Sequence, residues 1–217
     1  MDISMTRPFP FFIALAALLC VSACASHTSQ PGADNSSDDL TLGSIVVLQC
    51  EHDLLDRNQA GQMAEVRDLD EGCRALDTVI AEFFAMKENV NILSAIQQES
   101  LTGTFIGTPS MRARHIGAQA RGDAVLTTRL IRYNKLIGKK YGADEPASVS
   151  FEYSLIHLAS GKTLCRGSYE ETQETLFSDL FSFGKASKRK FEFVSADTLL
   201  REGVEKKFST CRYLTTP

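Results

Sequence analysis

The chain has 217 residues, a formal net charge of -4 at pH 7, and 43% hydrophobic residues. That length is enough for one ordinary folded domain with a sizeable core. The acidic balance, with a pI near 5.6, excludes a global electrostatic attraction to nucleic acid, so we expect no nucleic-acid partner.

An uncharged, mostly apolar run over residues 11–21 follows Arg7 near the N-terminus. The run is shorter than the roughly 20 apolar residues that cross a bilayer, and it predicts a secretory signal. It ends at residues 21–24 (Val-Ser-Ala-Cys), which resemble the lipobox of bacterial lipoprotein precursors. The resemblance implies cleavage between Ala23 and Cys24 and lipid on the Cys24 sulfur. Ordinary signal cleavage after Ala23, with Cys24 left free, is the alternative.

The lipobox implies attachment to a membrane as well as export from the cytoplasm. Each buried methylene adds about 0.8 kcal/mol, so several acyl chains on Cys24 hold a protein at a membrane essentially permanently. Ala25 stands where an Asp would resemble the inner-membrane retention signal, which implies the outer membrane, with the domain in the periplasm. Residues 1–23 are then the signal peptide, residues 24–42 a lipidated cysteine with a flexible tether, and residues 43–217 one globular domain.

Four cysteines follow Cys24, namely Cys50, Cys73, Cys165 and Cys211. An exported protein meets oxidising conditions, and an even count permits two disulfides in three connectivities. A Cys50–Cys73 bridge would pin a polar loop to the first helix, whereas Cys73–Cys211 would tie that helix to the C-terminal tail. Spacing does not choose between them, and free buried thiols are a further alternative. The cysteines and histidines lack the spacing of metal ligands, so we predict neither a metal nor a cofactor.

The predicted elements begin after the tether. The β-branched run over residues 44–48 predicts a strand buried on both faces. The polar stretch over residues 51–68 predicts a long loop. Apolar side chains at helical spacing over residues 69–87 predict an amphipathic helix that faces a core. Residues 90–93 predict a second short strand.

Two helices are then indicated by signals at their first residues. Ser94 opens a capping box (Ser-Ala-Ile-Gln), and the helix that it begins ends at Gly103. Thr108 followed by Pro109 predicts the start of another helix, which runs to Gly122.

The second half of the chain is rich in predicted β structure. Residues 124–133 predict a strand, and the alternation over residues 148–155 predicts another with one face in the core. A Ser-Gly turn joins it to a strand over residues 163–169, and Ser195 caps a last helix. The order of these elements predicts a single α/β (α+β) domain, with a mixed sheet of about five strands and helices packed on it.

Two segments resemble a group of envelope lipoproteins that includes the curli-secretion lipoprotein CsgG, the penicillin-binding-protein activator LpoB and the N-terminal domain of TolB. They are residues 120–126 (Ala-Arg-Gly-Asp-Ala-Val-Leu) and residues 150–173, which hold a strand, a Ser-Gly-Lys turn and a second strand. The resemblance implies their α/β fold and a lipoprotein. Gln49 and Cys50 replace the usual Pro-Phe, and Cys165 stands where relatives often carry Trp. One fold hosts many functions, so no shared partner is implied.

Aromatic and basic residues are concentrated in residues 177–193, which hold five of the 13 phenylalanines in the chain. One interpretation is a surface loop that packs on its own aromatics. The other is a contact surface, in which aromatic anchors and a basic cluster bind anionic headgroups, peptidoglycan or an acidic partner. The candidate contact residues are Phe181, Phe183, Lys185, Lys188, Arg189 and Lys190.

Catalytic motifs are weak in this sequence. His115 stands between arginines and is predicted to be solvated, and His157 has the inward parity of its strand, which is typical of a core histidine. Neither adjoins a recognisable nucleophile motif. The sequence therefore predicts a non-enzymatic envelope lipoprotein that binds an envelope protein or a peptidoglycan-associated partner. The alternatives are an envelope hydrolase or redox enzyme that uses His157 or Cys73, and a subunit of an outer-membrane export complex.

Overall fold

The structure is a computed structural model that describes residues 40–52, 60–139, 142–173 and 194–215. The predicted cleavage site at Ala23 and Cys24 lies outside the described residues, as do the tether before residue 40 and the candidate contact residues 181–190.

Eight strands and five helices occur in the described ranges. The strands are β1 (Ile45–Val47), β2 (Glu51–His52), β3 (Val90–Ile92), β4 (Ala124–Asn134), β5 (Ile137–Lys139), β6 (Gly142–Glu145), β7 (Ser148–His157) and β8 (Thr163–Thr172). The helices are α1 (Ala60–Phe83), α2 (Ala95–Thr102), α3 (Pro109–Gln119), α4 (Ala196–Phe208) and α5 (Arg212–Thr215).

The main sheet is mixed, as predicted. Its strand order is β3-β1-β4-β7-β8, and β5 and β6 form a separate two-stranded sheet. β1 runs parallel to both of its neighbours, with Ile45 opposite Val90 on one side and Ala124 on the other. β4, β7 and β8 are antiparallel. β2 continues the line of β1 along β4 after an irregular stretch, so the two short strands together cover β4 from its first residue to Leu130.

The two faces of the sheet are covered unequally. One face carries the larger core, in which Leu126 and Phe151 pack with Leu76 of α1 and Leu199 of α4. The other face carries a smaller apolar cluster under α3; its buried members are Val46, Leu48, Leu93, Ala113, Ile116, Val125 and Ile156.

Glycines let the helices approach the larger-core face closely. A Cβ at Gly203 of α4 would lie 2.5 Å from Cδ1 of Tyr169 and 2.8 Å from Cε1 of Phe151. A Cβ at Gly72 of α1 would lie 2.5 Å from Cγ of Tyr133. Since heavy atoms pack at about 3.5–4.0 Å, only glycine fits at either position without a shift of the neighbouring side chains or of the helix.

Two disulfides connect this helical layer to the sheet region. Cys50 is bonded to Cys73 of α1, with 5.2 Å between the Cα atoms, and Cys165 of β8 is bonded to Cys211, with 5.9 Å between the Cα atoms. The alternative Cys73–Cys211 bridge is therefore not the pairing in this fold.

The prediction of a long loop over residues 51–68 is wrong. Residues 51 and 52 pair with β4 as strand β2, and α1 begins at Ala60. Residues 60–65 (Ala-Gly-Gln-Met-Ala-Glu) include strong helix formers, but no apolar stripe at helical spacing marks them. Among residues 66–83, the part of α1 whose side chains the structure describes, Leu69 is the first that is buried. The amphipathic pattern thus locates only the part of α1 that packs on the sheet.

The other boundaries agree more closely with the structure. Ser94, Thr108 and Ser195 are N-caps, and each side chain accepts a hydrogen bond from a backbone N–H three residues later. The capping box of Ser94 and Gln97 is complete. In the described ranges, we find no helix with the length and apolar content that a bilayer crossing requires.

Candidate binding groove on the partly covered sheet face

The sheet face under α3 changes from apolar to polar along the strands. Near α3, Val125 and Ile156 lie opposite each other and are buried in the smaller cluster. Two residues further along, Thr127 lies opposite Ser154, and Ser154 lies opposite Arg166 of β8. Side chains two residues apart on a strand share a face. The apolar rows thus lie under α3, and the polar rows continue along the strands beyond its first turns.

A groove of about 700 Å³ lies where α3 leaves this face. Pro109, Ser110 and Ala113 from the first turns of α3 form one wall. The floor consists of polar side chains on the same face of β4, β7 and β8, and includes Thr127, Arg129, Glu152, Ser154, Arg166 and Ser168. This volume is in the range of pockets that hold small ligands or a short stretch of a larger partner.

Ion pairs organise the charged side chains at the groove. Arg129 donates from Nη2 to Oε2 of the cross-strand Glu152 at 3.0 Å. The guanidinium of Arg112 on α3 donates to the carboxylate of Glu51 on β2. The side chains of both pairs are about half exposed, so the pairs add little stability, but they hold the charges in fixed places.

Arg166 differs from its charged neighbours. Its side chain is exposed on the polar face, opposite Ser154. Within the described part of the chain, no ion pair involves its guanidinium. The five N–H donors of a guanidinium suit carboxylate, phosphate or carbonyl oxygens, so Arg166 is the side chain of the groove that is best placed to meet a ligand.

The titratable groups with clearly shifted pKa values lie on the opposite side of the sheet. Oδ1 of Asp77 on α1 accepts the Cys50 N–H at 2.8 Å, and burial raises the pKa of that carboxyl to about 6. Tyr133 donates to Oδ1 of Asp197 at 2.6 Å, and burial, with this hydrogen bond, raises the pKa of the phenol. Neither group is among the residues that line the groove.

His115 and His157 are placed differently from the predictions. His157 ends β7 and is only half-buried, with Nδ1 2.8 Å from Oγ of Ser160, so the prediction of a core histidine is wrong. Parity gives the face on which a strand residue lies, but it does not give how deeply a residue at the end of the strand is buried. His115 is also half-buried, because its ring stacks on Phe105 with 4.5 Å between the centroids.

The remaining candidate residues do not converge on one site. Cys73 is held in its disulfide, so its sulfur is not a free thiol in this structure. Among the described residues, no three His, Cys, Asp or Glu side chains are grouped as metal ligands would be. The sequence did not point to the groove, although the polar alternation of residues 148–155 and the arginines of β4 and β8 were visible signals. The missing information was how far α3 extends over the face.

Comparison with known proteins gives the following. No family model matches the chain. No curated protein matches it. Among solved structures, PelC from Paraburkholderia phytofirmans, a dodecamer, is similar over 81% of this chain and 89% of its own, with 11% identity and a TM-score of 0.43. The lipoprotein GNA1162 from Neisseria meningitidis is similar over 69% of this chain and 95% of its own, with 16% identity and a TM-score of 0.37.

The C-terminal domain of LpoB from Salmonella enterica is similar over 63% of this chain and 87% of its own, with 14% identity and a TM-score of 0.36. LpoB is also one of the proteins that the two sequence segments resemble. Similarity at this level assigns no function to this chain.

Proposed function

We propose that this chain is a lipid-anchored, non-enzymatic binding component of the bacterial cell envelope. Cys24 carries the lipid, the outer membrane holds it, and the domain works in the periplasm. The observation that carries the proposal is the apolar run that ends at residues 21–24 (Val-Ser-Ala-Cys). The two disulfides support it, because such bonds persist in oxidising compartments outside the cytoplasm.

The groove beside α3 supports a binding role for the domain. Its floor is polar and includes the ion pair of Arg129 with Glu152. Arg166 adds a guanidinium that is available to a ligand in the groove. We propose that an envelope protein or a peptidoglycan-associated partner contacts this groove with carboxylate or carbonyl groups. The aromatic and basic residues 181–190 remain a second proposed contact.

The anchor is tested by mass spectrometry of the mature N-terminus, together with membrane fractionation. We expect Cys24 to be the first residue and to carry diacylglycerol, and we expect Cys24→Ser to prevent both cleavage at that bond and lipid attachment. An unmodified Cys24 at the mature N-terminus would overturn the anchor.

The binding surface is tested by crosslinking in the intact envelope, followed by affinity purification. We expect Arg166→Glu to reduce recovery of the partner several-fold, because the reversed charge faces the ligand. Arg74→Glu is the matched control, since Arg74 is an exposed arginine on α1 at the other side of the sheet. Deletion of residues 184–190 tests the second contact in the same assay. If neither Arg166→Glu nor the deletion of residues 184–190 changes the recovery of the partner, neither surface binds it.

A further inference from the structure

Large apolar side chains are exposed on the outer surface of the α2–α3 layer. Ile106 is 94% exposed, Ile96 80% and Met111 53%. α2 is a regular helix of eight residues, none of which is buried. Isolated exposed apolar residues are ordinary, but several within one short layer mark a surface that another apolar medium covers.

These side chains surround the connection between α2 and α3. The Phe105 ring and Cβ of Met111 both lie within 3.4 Å of the place where a Cβ on Gly107 would stand. The Phe105 ring stacks on His115 of α3, so the aromatic side chain is held in place by the helix. Ile106, next to Phe105, projects from this packed base. We call Phe105, Ile106 and Met111 the α2–α3 tip.

The charge of this layer is opposite to that of the whole chain. Residues 92–122 contain three arginines and a single acid, Glu99, whereas the whole chain has a net charge of -4. Arg112 is paired with Glu51, whereas Arg114, one helical turn after Met111, is exposed and places its guanidinium against Gly161 in the turn between β7 and β8. An apolar tip with an exposed arginine one helical turn away is a combination that binds the interface of an anionic bilayer.

The chain is long enough to bring the tip to the membrane that holds Cys24. Fifteen residues lie between Cys24 and Leu40, and the 16 Cα-to-Cα steps from Cys24 to Leu40 span at most about 55 Å when extended. α3 leads from the tip back to the end of the sheet at which β1 begins, and its 11 residues cover only about 16 Å. A domain anchored at Cys24 can therefore turn its α2–α3 tip to the bilayer.

We propose that the α2–α3 tip docks on the anionic phospholipid surface of the membrane to which the chain is anchored, with Ile106 entering the interface and Arg114 meeting the headgroups. This inference rests on the proposed lipid anchor at Cys24. It gives the domain a second membrane contact, next to the groove wall that Pro109 and Ser110 form.

A tryptophan reporter tests the docking in the full, lipid-carrying chain, which contains no tryptophan of its own. Ile106→Trp and Met86→Trp are each purified from membranes and reconstituted into vesicles of phosphatidylethanolamine and phosphatidylglycerol that contain doxyl-labelled lipid. Met86 is the matched control, because it is also 94% exposed but lies in the turn between α1 and β3, at the end of the sheet where β1 and β3 begin and away from the tip. We expect several-fold stronger quenching and a blue-shifted emission at position 106 only.

The charge contribution is tested in the same vesicles. Arg114→Glu, introduced beside Ile106→Trp, should lower the quenching in phosphatidylglycerol vesicles, whereas Arg74→Glu should leave it unchanged. Replacing phosphatidylglycerol by phosphatidylcholine should have the effect of Arg114→Glu, because the headgroup attraction is electrostatic.

Three other outcomes would overturn either the docking or the anchor. Equal, weak quenching at positions 86 and 106 in vesicles that hold the lipidated chain would overturn the docking and leave the anchor intact. A blue shift at position 106 without lipid quenching would assign the tip to a second copy or to a protein partner, and would also overturn it. Quenching at position 106 in a chain whose mass shows no lipid would overturn the anchor but keep the docking surface.

Discussion

Burial of the Asp77 carboxyl opposes its negative charge. Its carboxyl is half-buried beside the Cys50–Cys73 disulfide, and its hydrogen bond from the Cys50 N–H does not offset the cost of burial. The pKa in the fold, about 6, lies above the ordinary value of 3.8. The folded state therefore favours the protonated acid, and the stability from that proton is complete below about pH 4 and is lost as the pH rises through 6.

The first prediction concerns Asp77→Asn. The amide stays neutral at every pH, and its oxygen can still accept the Cys50 N–H. We expect the variant to match the wild type at pH 4 and to exceed it by about 1–2 kcal/mol in free energy of unfolding at pH 7.5. Urea denaturation at both pH values measures the difference. A variant that is less stable at pH 7.5 would show that the ionised carboxylate stabilises the fold through its hydrogen bond.

The second prediction concerns Gly203→Ala in α4. Alanine favours a helix over glycine by about 1 kcal/mol, but the new Cβ would collide with the Tyr169 and Phe151 rings. We expect the collision to dominate and the free energy of unfolding to fall by about 1–3 kcal/mol. Glu205→Ala, at an exposed position of the same helix, is the control and should change stability by less than about 0.5 kcal/mol. A more stable Gly203→Ala protein would show that α4 moves outward at no cost.

At the scale of elements, local signals located most of the strands and helices. The three N-caps, the alternation of β7 and the Ser-Gly turn each depend on neighbours in the chain, and all are in the structure. The first turns of α1 and strand β2 could not be predicted, because no apolar period marks them. The disulfide pairing and the groove could not be predicted either, since both depend on which distant elements come together.

The third prediction concerns the Cys165–Cys211 bridge, which connects β8 to the residue before α5. Cross-linking across 46 residues restricts the unfolded chain, so Cys165→Ser with Cys211→Ser should lower the free energy of unfolding by about 2–4 kcal/mol. Hydrogen exchange should rise first in α5, whose residue Leu214 is buried in the larger core. Unchanged protection of α5 would show that packing alone holds this helix.

At the scale of the whole molecule, α1 and α4 belong to one core. Phe84 of the α1 end and Phe208 of α4 lie in the same cluster as the sheet residues, and the Phe83 and Phe208 rings meet edge to face at 5.4 Å. An element that shares its core with every other element on that face cannot unfold independently of them.

The fourth prediction follows from this shared core. With both disulfides reduced, unfolding should remain a single transition, with the same midpoint by circular dichroism and by tyrosine fluorescence, at a lower urea concentration than in the oxidised protein. Two separated transitions would show that the bridges, rather than the core, join the helical layer to the sheet.

The central place of β1 has a mechanical consequence. The first strand of the domain lies between β3 and β4 and runs parallel to both. Just before it, the Asp123 carboxylate accepts the N–H groups of Gly43 and Ser44 at 2.8 and 3.0 Å. A pull on the chain at residue 40 along the strand direction therefore loads these hydrogen bonds and both ladders of β1 together, in shear, instead of opening one edge bond by bond. A force applied from the N-terminal side of the domain therefore acts first on β1, a strand that is hydrogen-bonded on both sides.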